Sequence, residues 1–497
     1  MGSPSREGHF RLWFDANNAI LSPMNPSNQH RIAISLIAFA AFFPLVLIPG
    51  ALFWKPGLIF DTELAQALEL FQLFPKVLVL LLIGLLGMLS VREIRWREPF
   101  VFLLLSHLLL VLAGSLNARD DWSYVWLGPQ RRLDGLLYHV SLVLYAIVAY
   151  QLLLKMPRLG NTLLLALFAG GSFQAVLALL QRLQLDPIGP LVKWSMYSNP
   201  VGSLSHPGML AGLLLPTILL GIWLFTQQVS RNCRFLLLLG VFLSALALGA
   251  STNRAALIAL IVGLAGLIWT HRTWSVLFLS GFAIVAVLCV QFIVPNRLGF
   301  TREYTATNTL ESRFQIWALA YQSLGKIPGA PWIGGGPDAF RLALLRDPPV
   351  TDLLALTKLE FAWPQDARVS RVTVVLPPNE QRRSKYLQVE FEQFEGQSNI
   401  KQNYPITLDK AHNLWLDRLV AFGGLSMLLW LLLYLYPIWK SWKNRSLAWI
   451  WVLTALMVYY LAWFPVIGTE PLHVLIAAVA WASIRSEVSN AVRPSPN

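Results

Sequence analysis

The sequence predicts an all-α integral membrane protein of about twelve transmembrane helices, with one large loop outside the cytoplasm. Of the 497 residues, 56% are hydrophobic and 13% are charged, whereas soluble domains carry about 25% charged residues. The apolar residues form runs such as 32–53 and 274–295, which are long enough to cross about 30 Å of hydrocarbon. Because the core of a soluble protein rarely needs such runs, we expect a membrane protein.

Twelve segments have the length and composition of membrane spans. They are residues 32–53, 73–91, 99–116, 135–154, 161–181, 208–226, 235–250, 254–270, 274–295, 412–436, 446–464 and 471–485. The breaks on the side of the N-terminus, with Arg485 at the end of the last span, hold sixteen basic and five acidic residues, whereas the short breaks on the other side hold six basic and eight acidic residues. Because basic loops stay in the cytoplasm, the leader 1–31 and the tail 486–497 are both predicted to be cytoplasmic.

The net charge of +13 is explained by this topology, so no nucleic-acid partner is expected. The partners expected from the bulk composition are membrane lipids. The chain has two cysteines, Cys233 in a short basic loop and Cys289 in an apolar run, which do not form a disulfide framework.

Residues 296–411 are too long for a connector and form the large outer loop between spans 32–295 and spans 412–485. The loop holds 14 basic and 12 acidic residues, so it is a nearly neutral small domain. Residues 311–324 have helical periodicity, whereas 371–376 and 386–394 alternate like paired strands. We therefore expect a helical first part and a small β element later.

Arg254 is the first charged residue that the topology does not require. It follows Ser251, Thr252 and Asn253 and opens a span that runs inward. Serine, threonine and asparagine are natural N-cap residues, and free N–H groups beside a guanidinium make an anion site at a helix start. The alternative is an interfacial arginine that reaches the lipid headgroups.

His412 is the second such residue, at the outer start of another span that runs inward. A histidine can accept a proton near neutral pH. Asn413, Asp409 and Asp417 lie close in sequence, and any of them could orient the imidazole. The alternative is an interfacial histidine that caps a helix.

Arg313 is the third, on an amphipathic helix that precedes the Gly/Pro-rich segment 328–340. Glycine lets a backbone approach a ligand closely. The alternative is a surface salt bridge with Glu311 or Glu303.

Arg131 and Arg132, in an outer break, can add positive charge beside the site, or form only a solvated loop pair. His206 is interpreted as a structural residue near a helix start. The sequence contains no clustered Cys/His set and no P-loop, and the acidic pair Asp120–Asp121 is a weak metal signal, so no metal site is predicted.

Three segments together are similar to the O-antigen ligase and polymerase superfamily. They are STNRAALIALIVGL, ESRFQIWALAYQSLGKIPGAPWIGGGPDAF and DKAHNLWLDRLVAFGGLSMLLWLLLY. That superfamily has a serine-rich helix start with an arginine, then an arginine-containing helix with a Gly/Pro turn, then a His-Asn pair that opens a span. The resemblance covers about residues 251–436, with weaker elements upstream, and residues 347–405 match nothing in the family.

The resemblance implies a GT-C-like glycosyltransferase in the bacterial inner membrane. It implies an undecaprenyl-diphosphate-linked glycan donor, an acceptor hydroxyl on the periplasmic side, inversion at the anomeric carbon, and neither a metal nor a cofactor. Arg254 and Arg313 would bind the pyrophosphate, and His412 would act as general base or orient the acceptor. We expect further substrate contacts from Arg131, Arg132, Asn253 and Asn413.

The sequence does not separate the possible acceptors, and the O-antigen ligase type is favoured only as the default for the family. Lipid A-core would make the protein an O-antigen ligase, another repeat unit would make it a polymerase, and a protein hydroxyl would make it an O-oligosaccharyltransferase. An anion transporter, of bicarbonate for example, is the alternative from another class. Ionisable residues near the middle of spans are scarce, with His139 and Gln174 the nearest candidates, which weighs against transport. A non-catalytic assembly partner also stays open.

Overall fold

The computed structural model describes most of the chain as a helical bundle with a smaller mixed domain. The described residues are 28–48, 62–91, 94–117, 122–129, 132–189, 199–204, 206–227, 230–293, 306–327, 329–361, 363, 366–375, 385–406, 408, 410–444, 450–464 and 466–492.

Sixteen α-helices lie in this described part. They are α1 (Asn28–Phe42), α2 (Thr62–Ser90), α3 (Pro99–Leu116), α4 (Trp122–Leu127), α5 (Leu136–Lys155), α6 (Leu159–Arg182), α7 (Pro207–Gln227), α8 (Arg231–Ala250), α9 (Arg254–His271), α10 (Trp274–Leu288), α11 (Ala306–Leu324), α12 (Ala339–Arg346), α13 (Val350–Phe361), α14 (Leu414–Asn444), α15 (Trp451–Tyr459) and α16 (Glu470–Val492). A short 3-10 turn, Phe43–Leu45, follows α1, and a π turn, Cys289–Ile293, follows α10.

Nine helices within the described residues are long and apolar enough to cross a membrane. They include Gln72–Ser90 of α2 and Leu414–Lys443 of α14, together with α3, α5, α6, α7, α8, α9 and a helix from Trp274 to Gln291. The apolar stretch Gln29–Leu45 is shorter. The predicted spans 446–464 and 471–485 correspond to α15, which has nine residues, and to α16, which is not among the nine. A mostly helical protein with apolar helices compatible with a membrane protein is therefore confirmed within the described residues, whereas the number twelve stays a prediction.

Small residues let the helices pack closely, as is usual for helix contacts in membranes. Gly263 of α9 faces Ala455 of α15, where an added Cβ would lie 3.0 Å from the alanine Cβ, and Gly266 faces the ring of Trp451. The later residue of α9, Gly266, contacts the earlier residue of α15, Trp451, so the two helices are antiparallel. Arg254 and Tyr459 therefore lie at the same end of this helix pair.

Helix α14 is broken at Gly423, whose φ of 82° and ψ of 168° are not helical. The break separates an N-terminal segment, Leu414–Phe422, which carries Asp417 and Arg418, from a C-terminal segment, 424–444, which is mostly apolar. A helix that ends inside a membrane protein leaves carbonyl groups without partners. Donors from another segment must therefore satisfy those carbonyls.

The Gly/Pro-rich segment supplies the donors. The N–H groups of Gly335 and Gly336 donate to the carbonyls of Val420 and Ala421 at 3.0 and 2.8 Å, and the N–H of Gly424 donates to the Pro331 carbonyl at 2.6 Å. The glycines of this segment therefore bring its backbone against the broken helix. The expected close approach to a ligand is not what these contacts show.

Residues 306–411 contain α11, α12 and α13 followed by three antiparallel strands, β1 (Arg368–Val375), β2 (Tyr386–Phe394) and β3 (Gln397–Pro405), in the order β1-β2-β3. The predicted helix and the first two strands are confirmed, and β3 was not predicted. Val372 pairs with Val389, which pairs with Gln402. Alternate residues of β2, Leu387, Val389 and Phe391, enter a core shared with Leu319 and Leu353 of the helices.

Candidate functional site

Two stacked aromatic rings form the wall around which the candidate site is built. Trp463 and Phe464, in the connection between α15 and α16, have ring centroids 5.0 Å apart. The ring of His412 meets Phe464 edge to face at 4.8 Å. The guanidinium of Arg132 lies over the same Phe464 ring, 4.6 Å from its centroid. One aromatic side chain therefore holds a histidine and an arginine that are 280 residues apart in sequence.

His206 lies against the other ring of this wall, 5.1 Å from Trp463. The N–H of Gly208 donates to Nδ1 of His206 at 2.9 Å, so the neutral imidazole carries its hydrogen on Nε2. Burial, and after it the charges of Arg132 and Arg313, lower the pKa of His206 to about 4. His206 is therefore a neutral hydrogen-bond donor at physiological pH, beside two guanidinium groups.

Arg313 reaches this group from α11. Burial lowers the pKa of its guanidinium, and the charge of Glu360 on α13 acts in the opposite direction. Tyr459, at the end of α15, is close enough to interact with Arg313 electrostatically, and its hydroxyl donates to the Gly208 carbonyl at 2.5 Å. The predicted alternative, a salt bridge from Arg313 to Glu311 or Glu303, cannot be judged for Glu303, which lies outside the described residues.

The residues around His412 fix the start of α14. The Asn413 Oδ1 accepts from the N–H groups of Trp415 and Leu416 at 3.0 and 3.2 Å, and its Nδ2 donates to the Leu461 carbonyl at 2.9 Å. Asp417 Oδ1 accepts from the N–H of Ala411 at 2.7 Å. These contacts hold the His412 backbone in a left-handed conformation with φ of 52° and hold its ring against the aromatic wall.

Arg254 opens α9 as predicted, and Asn253 is the N-cap, because its Oδ1 accepts from the Ala256 N–H at 2.9 Å. Thr252, with φ of 55°, accepts from the Asn199 amide at 3.1 Å. The predicted helix start is therefore confirmed. Arg254 lies at the same end of the bundle as Tyr459.

The residues predicted to contact substrate differ in where they lie. Arg132 belongs to the site, and Arg131 and Asp409 lie outside the described residues. Asn253 and Asn413 cap helices, so their amides carry structural hydrogen bonds, and a substrate contact from either stays a prediction. Two site residues were missed or underrated in the sequence. His206 was interpreted as structural, and Tyr459 was hidden in an apolar run, since only the fold brings it to Arg313.

A second polar group lies buried beside the site. Arg418, which is 2% exposed, donates to Glu470 at 2.5 Å and to Nε2 of His107 at 3.0 Å. A guanidinium only donates, so His107 accepts at Nε2, is neutral, and contacts the Ser426 hydroxyl through Nδ1 at 2.9 Å. Tyr138 donates to the second oxygen of Glu470 at 2.7 Å. Sequence reasoning passed over this group, although a charge inside an apolar segment is a signal for it.

In the part of the chain that the structure describes, no group of three or more His, Cys, Asp or Glu side chains could hold a metal ion. The site offers cations, a neutral imidazole N–H and a second imidazole instead. Such a set can bind an anion and accept a proton from a neighbouring group.

Comparison with known proteins gives no assignment. No protein-family model matches the chain, and no curated protein matches it.

Proposed function

We propose that this protein is a GT-C-like membrane glycosyltransferase that moves glycan from undecaprenyl diphosphate to an acceptor hydroxyl. The reaction takes place on the periplasmic side of the bacterial inner membrane, with both termini in the cytoplasm. One observation carries the proposal. Arg132, neutral His206 and His412 meet at one aromatic wall, and Arg313 lies near enough to His206 for its charge to act on that imidazole. An anion site and a proton acceptor are thus adjacent, at the end of the bundle where α9 begins.

The donor diphosphate is the group that the arginines fit. A guanidinium binds phosphate oxygens through paired, charge-assisted hydrogen bonds. The charges of Arg132 and Arg313 both act on His206, so two cations and one neutral donor can share a diphosphate. Arg254, at the N-terminus of α9, adds the positive helix end at the same side. The lipid chain would lie among the apolar helices.

His412 is the group suited to activate the acceptor. The acceptor oxygen bonds to the anomeric carbon while the bond from that carbon to the phosphate oxygen breaks. The electron pair of that bond goes to the diphosphate, the hydroxyl proton goes to a ring nitrogen of His412, and the anomeric configuration inverts. Removing one donor from the place where leaving-group charge develops typically lowers the rate by about 10² to 10³. Neutralising the charge on the diphosphate is therefore the most important contribution to catalysis.

A complementation experiment tests this proposal. A strain without the gene receives the wild type, His412→Ala, Arg313→Ala or the matched control Arg371→Ala, which changes an exposed arginine on β1. We expect the wild type and the control to restore surface glycan, and the two site variants to leave lipid-linked glycan unspent at equal levels of inserted protein. Restoration by both site variants would remove the catalytic assignment.

The acceptor distinguishes three forms of this function. An O-antigen ligase uses lipid A-core, a polymerase uses another repeat unit, and an O-oligosaccharyltransferase uses a protein hydroxyl. Mass analysis of the glycosylated product in the complemented strain tells these forms apart, because the three products differ in the molecule attached to the glycan.

An anion transporter is the second candidate, and buried ionisable residues favour it. Lys76 of α2 is fully buried, with its ammonium donating to the Val46 carbonyl at 2.8 Å, and Arg418 is buried against His107. Such residues within a bundle mark ion pathways in many transporters. Bicarbonate uptake into liposomes that contain the purified protein tests this function, and uptake lost in Lys76→Met but unchanged in Arg313→Ala would favour transport over transfer.

A further inference from the structure

One face of α11 exposes large apolar side chains. Leu310, Phe314 and Tyr321 are each more than half exposed. Trp317 is partly exposed and meets Phe314 edge to face, with ring centroids 5.3 Å apart. Because these four residues follow each other at intervals of four, three and four, they form one stripe along the helix, which we call the α11 stripe. An exposed apolar stripe of this kind marks an interaction surface.

The orientation of the α11 stripe follows from Arg313 on the same helix. Arg313 is near enough to His206 and Tyr459, at the ends of α7 and α15, for charge to act between them, so it lies on the side of α11 that faces the bundle. Successive helix residues are turned by about 100°, so the stripe lies about 40° to 100° around the axis from Arg313. The exposed polar residues Glu311 and Gln322 lie about 160° and 180° from it. The stripe is therefore nearer to the bundle than this polar flank.

Helix α3 gives the depth of the membrane beside this domain. It is an 18-residue apolar helix, which corresponds to a length of about 27 Å, close to the roughly 30 Å of hydrocarbon in a bilayer. The polar residues Glu98 and Asn117 come directly before and after it. The two ends of α3 therefore lie at the two edges of the hydrocarbon.

Trp332, in the segment that follows α11, lies at one of these edges. The Asn117 amide donates to the Gly334 carbonyl at 2.7 Å, and a Cβ on Gly114 would lie 2.7 Å from the Ile333 carbonyl oxygen. Gly114 is only about 3 Å from the end of α3. The Trp332 side chain is 73% exposed at this depth, and tryptophan is enriched where hydrocarbon meets the headgroups.

The exposed surface at Trp332 lies beside the exposed sides of two apolar helices. The backbone of this segment packs against Gly114 of α3 and Gly423 of α14. Leu116 and Leu425, two residues after these glycines, are both exposed. In a membrane, exposed leucines of apolar helices contact lipid, so the lipid surface extends to Trp332.

We propose that the α11 stripe and Trp332 lie in the interfacial layer of the phospholipid leaflet next to residues 306–411. A helix with an apolar stripe beside a polar one lies along a membrane surface in this way. The proposal needs only that α3 crosses the membrane, and it does not rest on glycosyl transfer. On the proposed function, the same lipid contact holds Arg313 close to the depth of lipid phosphates.

Nitroxide labels on single cysteines test this surface in the full chain, reconstituted into vesicles of phosphatidylethanolamine and phosphatidylglycerol. Each variant is made in a background in which both native cysteines are replaced by serine. Phe314→Cys and Tyr321→Cys report on the α11 stripe. Glu311→Cys and Gln322→Cys are the matched controls on the polar flank of the same helix.

The measurement compares how strongly two reagents relax each label, dissolved oxygen, which concentrates in lipid, and a water-soluble nickel chelate. Leu428→Cys, on the exposed side of α14, is the reference for lipid, and Ser398→Cys, on β3, is the reference for water. We expect the ratio of oxygen to nickel effects to be several-fold higher at the two stripe positions than at the two polar controls. The stripe positions should resemble Leu428→Cys, and the controls should resemble Ser398→Cys.

Three results would overturn the proposal. A ratio at the stripe positions equal to that of Ser398→Cys would mean that the stripe faces water. Labels shielded from both reagents would mean that a protein partner covers it, and spin–spin broadening between labels would mean that a second copy does. The labels need no turnover, so a failure of the proposed function leaves this measurement unaffected.

Discussion

Arg313 and Arg418 show how two arginines in one protein have opposite surroundings. Arg418 is 2% exposed, its guanidinium is paired with Glu470, and it lies 4.3 Å from the centre of the Trp430 ring. Arg313 is partly exposed and feels the charge of Glu360 without a close ion pair among the described contacts. The charge of Arg418 is neutralised inside the protein, whereas that of Arg313 can act on a ligand.

Removing one partner of the Arg418–Glu470 pair leaves an uncompensated buried charge. We therefore expect Arg418→Met to lower the free energy of unfolding by about 3–5 kcal/mol. The double variant Arg418→Met/Glu470→Met removes both charges and should recover a large part of that loss. Thermal unfolding in one detergent checks this, and a double variant as unstable as the single one would contradict the ion-pair explanation.

His206 makes the stability of the folded protein depend on pH. Its pKa of about 4 in the folded protein lies below the value of about 6.5 expected for an unfolded chain. The unfolded state therefore binds more protons between these two values, so stability falls as the pH is lowered from 6.5 towards 4.

We expect His206→Gln to lose less thermal stability than the wild type between pH 7.5 and pH 5. His30→Gln, which changes an exposed histidine of α1, is the control and should behave as the wild type. Unfolding temperatures at the two pH values check the prediction, and an equal drop in His206→Gln and wild type would count against it.

At the scale of elements, the break in α14 is the feature that most shapes the site. The N-terminal segment of α14, Leu414–Phe422, carries Asp417 and Arg418, and its last carbonyls accept from Gly335 and Gly336. A straight helix would continue the intrahelical hydrogen bonds and leave no room for the 329–336 segment. The break therefore joins the helical bundle to the domain that contributes Arg313.

Gly423 is the residue on which this break depends. Its φ of 82° is unfavourable for other residues, and a Cβ there would collide with the Trp332 carbonyl. We expect Gly423→Ala to destabilise the protein by several kcal/mol, since strain and collision add. Gly281→Ala, in α10 where a Cβ meets nothing within 4 Å, is the matched control and should leave unfolding nearly unchanged. Equal effects of the two substitutions would contradict this account.

The whole molecule has a predicted sidedness that the labelling of cysteines at two positions can report. Cys233 lies at the start of α8 and is exposed, on the side predicted to be cytoplasmic. Ser398 lies on β3, in the predicted outer loop, and is exposed. The two positions should therefore face opposite sides of the membrane.

A membrane-impermeant maleimide tests this arrangement in spheroplasts. Cys289→Ser keeps Cys233 alone, which should react only after lysis. Ser398→Cys in a background without Cys233 and Cys289 should react in intact spheroplasts. Labelling of both positions before lysis, or of neither, would contradict the predicted topology.

The sequence by itself determined the local structure of this protein. Apolar runs longer than 17 residues predict membrane helices, and alternation predicts β1 and β2, because both patterns depend on near neighbours in the chain. The N-cap at Asn253 is likewise a local preference, and it is confirmed. The start of α14 two residues after His412 follows the same rule.

Only the tertiary structure decided which of these residues meet. His206, Arg132 and His412 come from three separate segments and meet Trp463 and Phe464, and Arg313 of a fourth segment lies near His206. No local pattern relates these residues. The Gly/Pro segment seals a broken helix because of a φ at Gly423 that sequence does not display. The physical reason is the same in both cases: propensity and hydrophobic period act over a few residues, whereas contacts between distant segments depend on how the whole bundle packs.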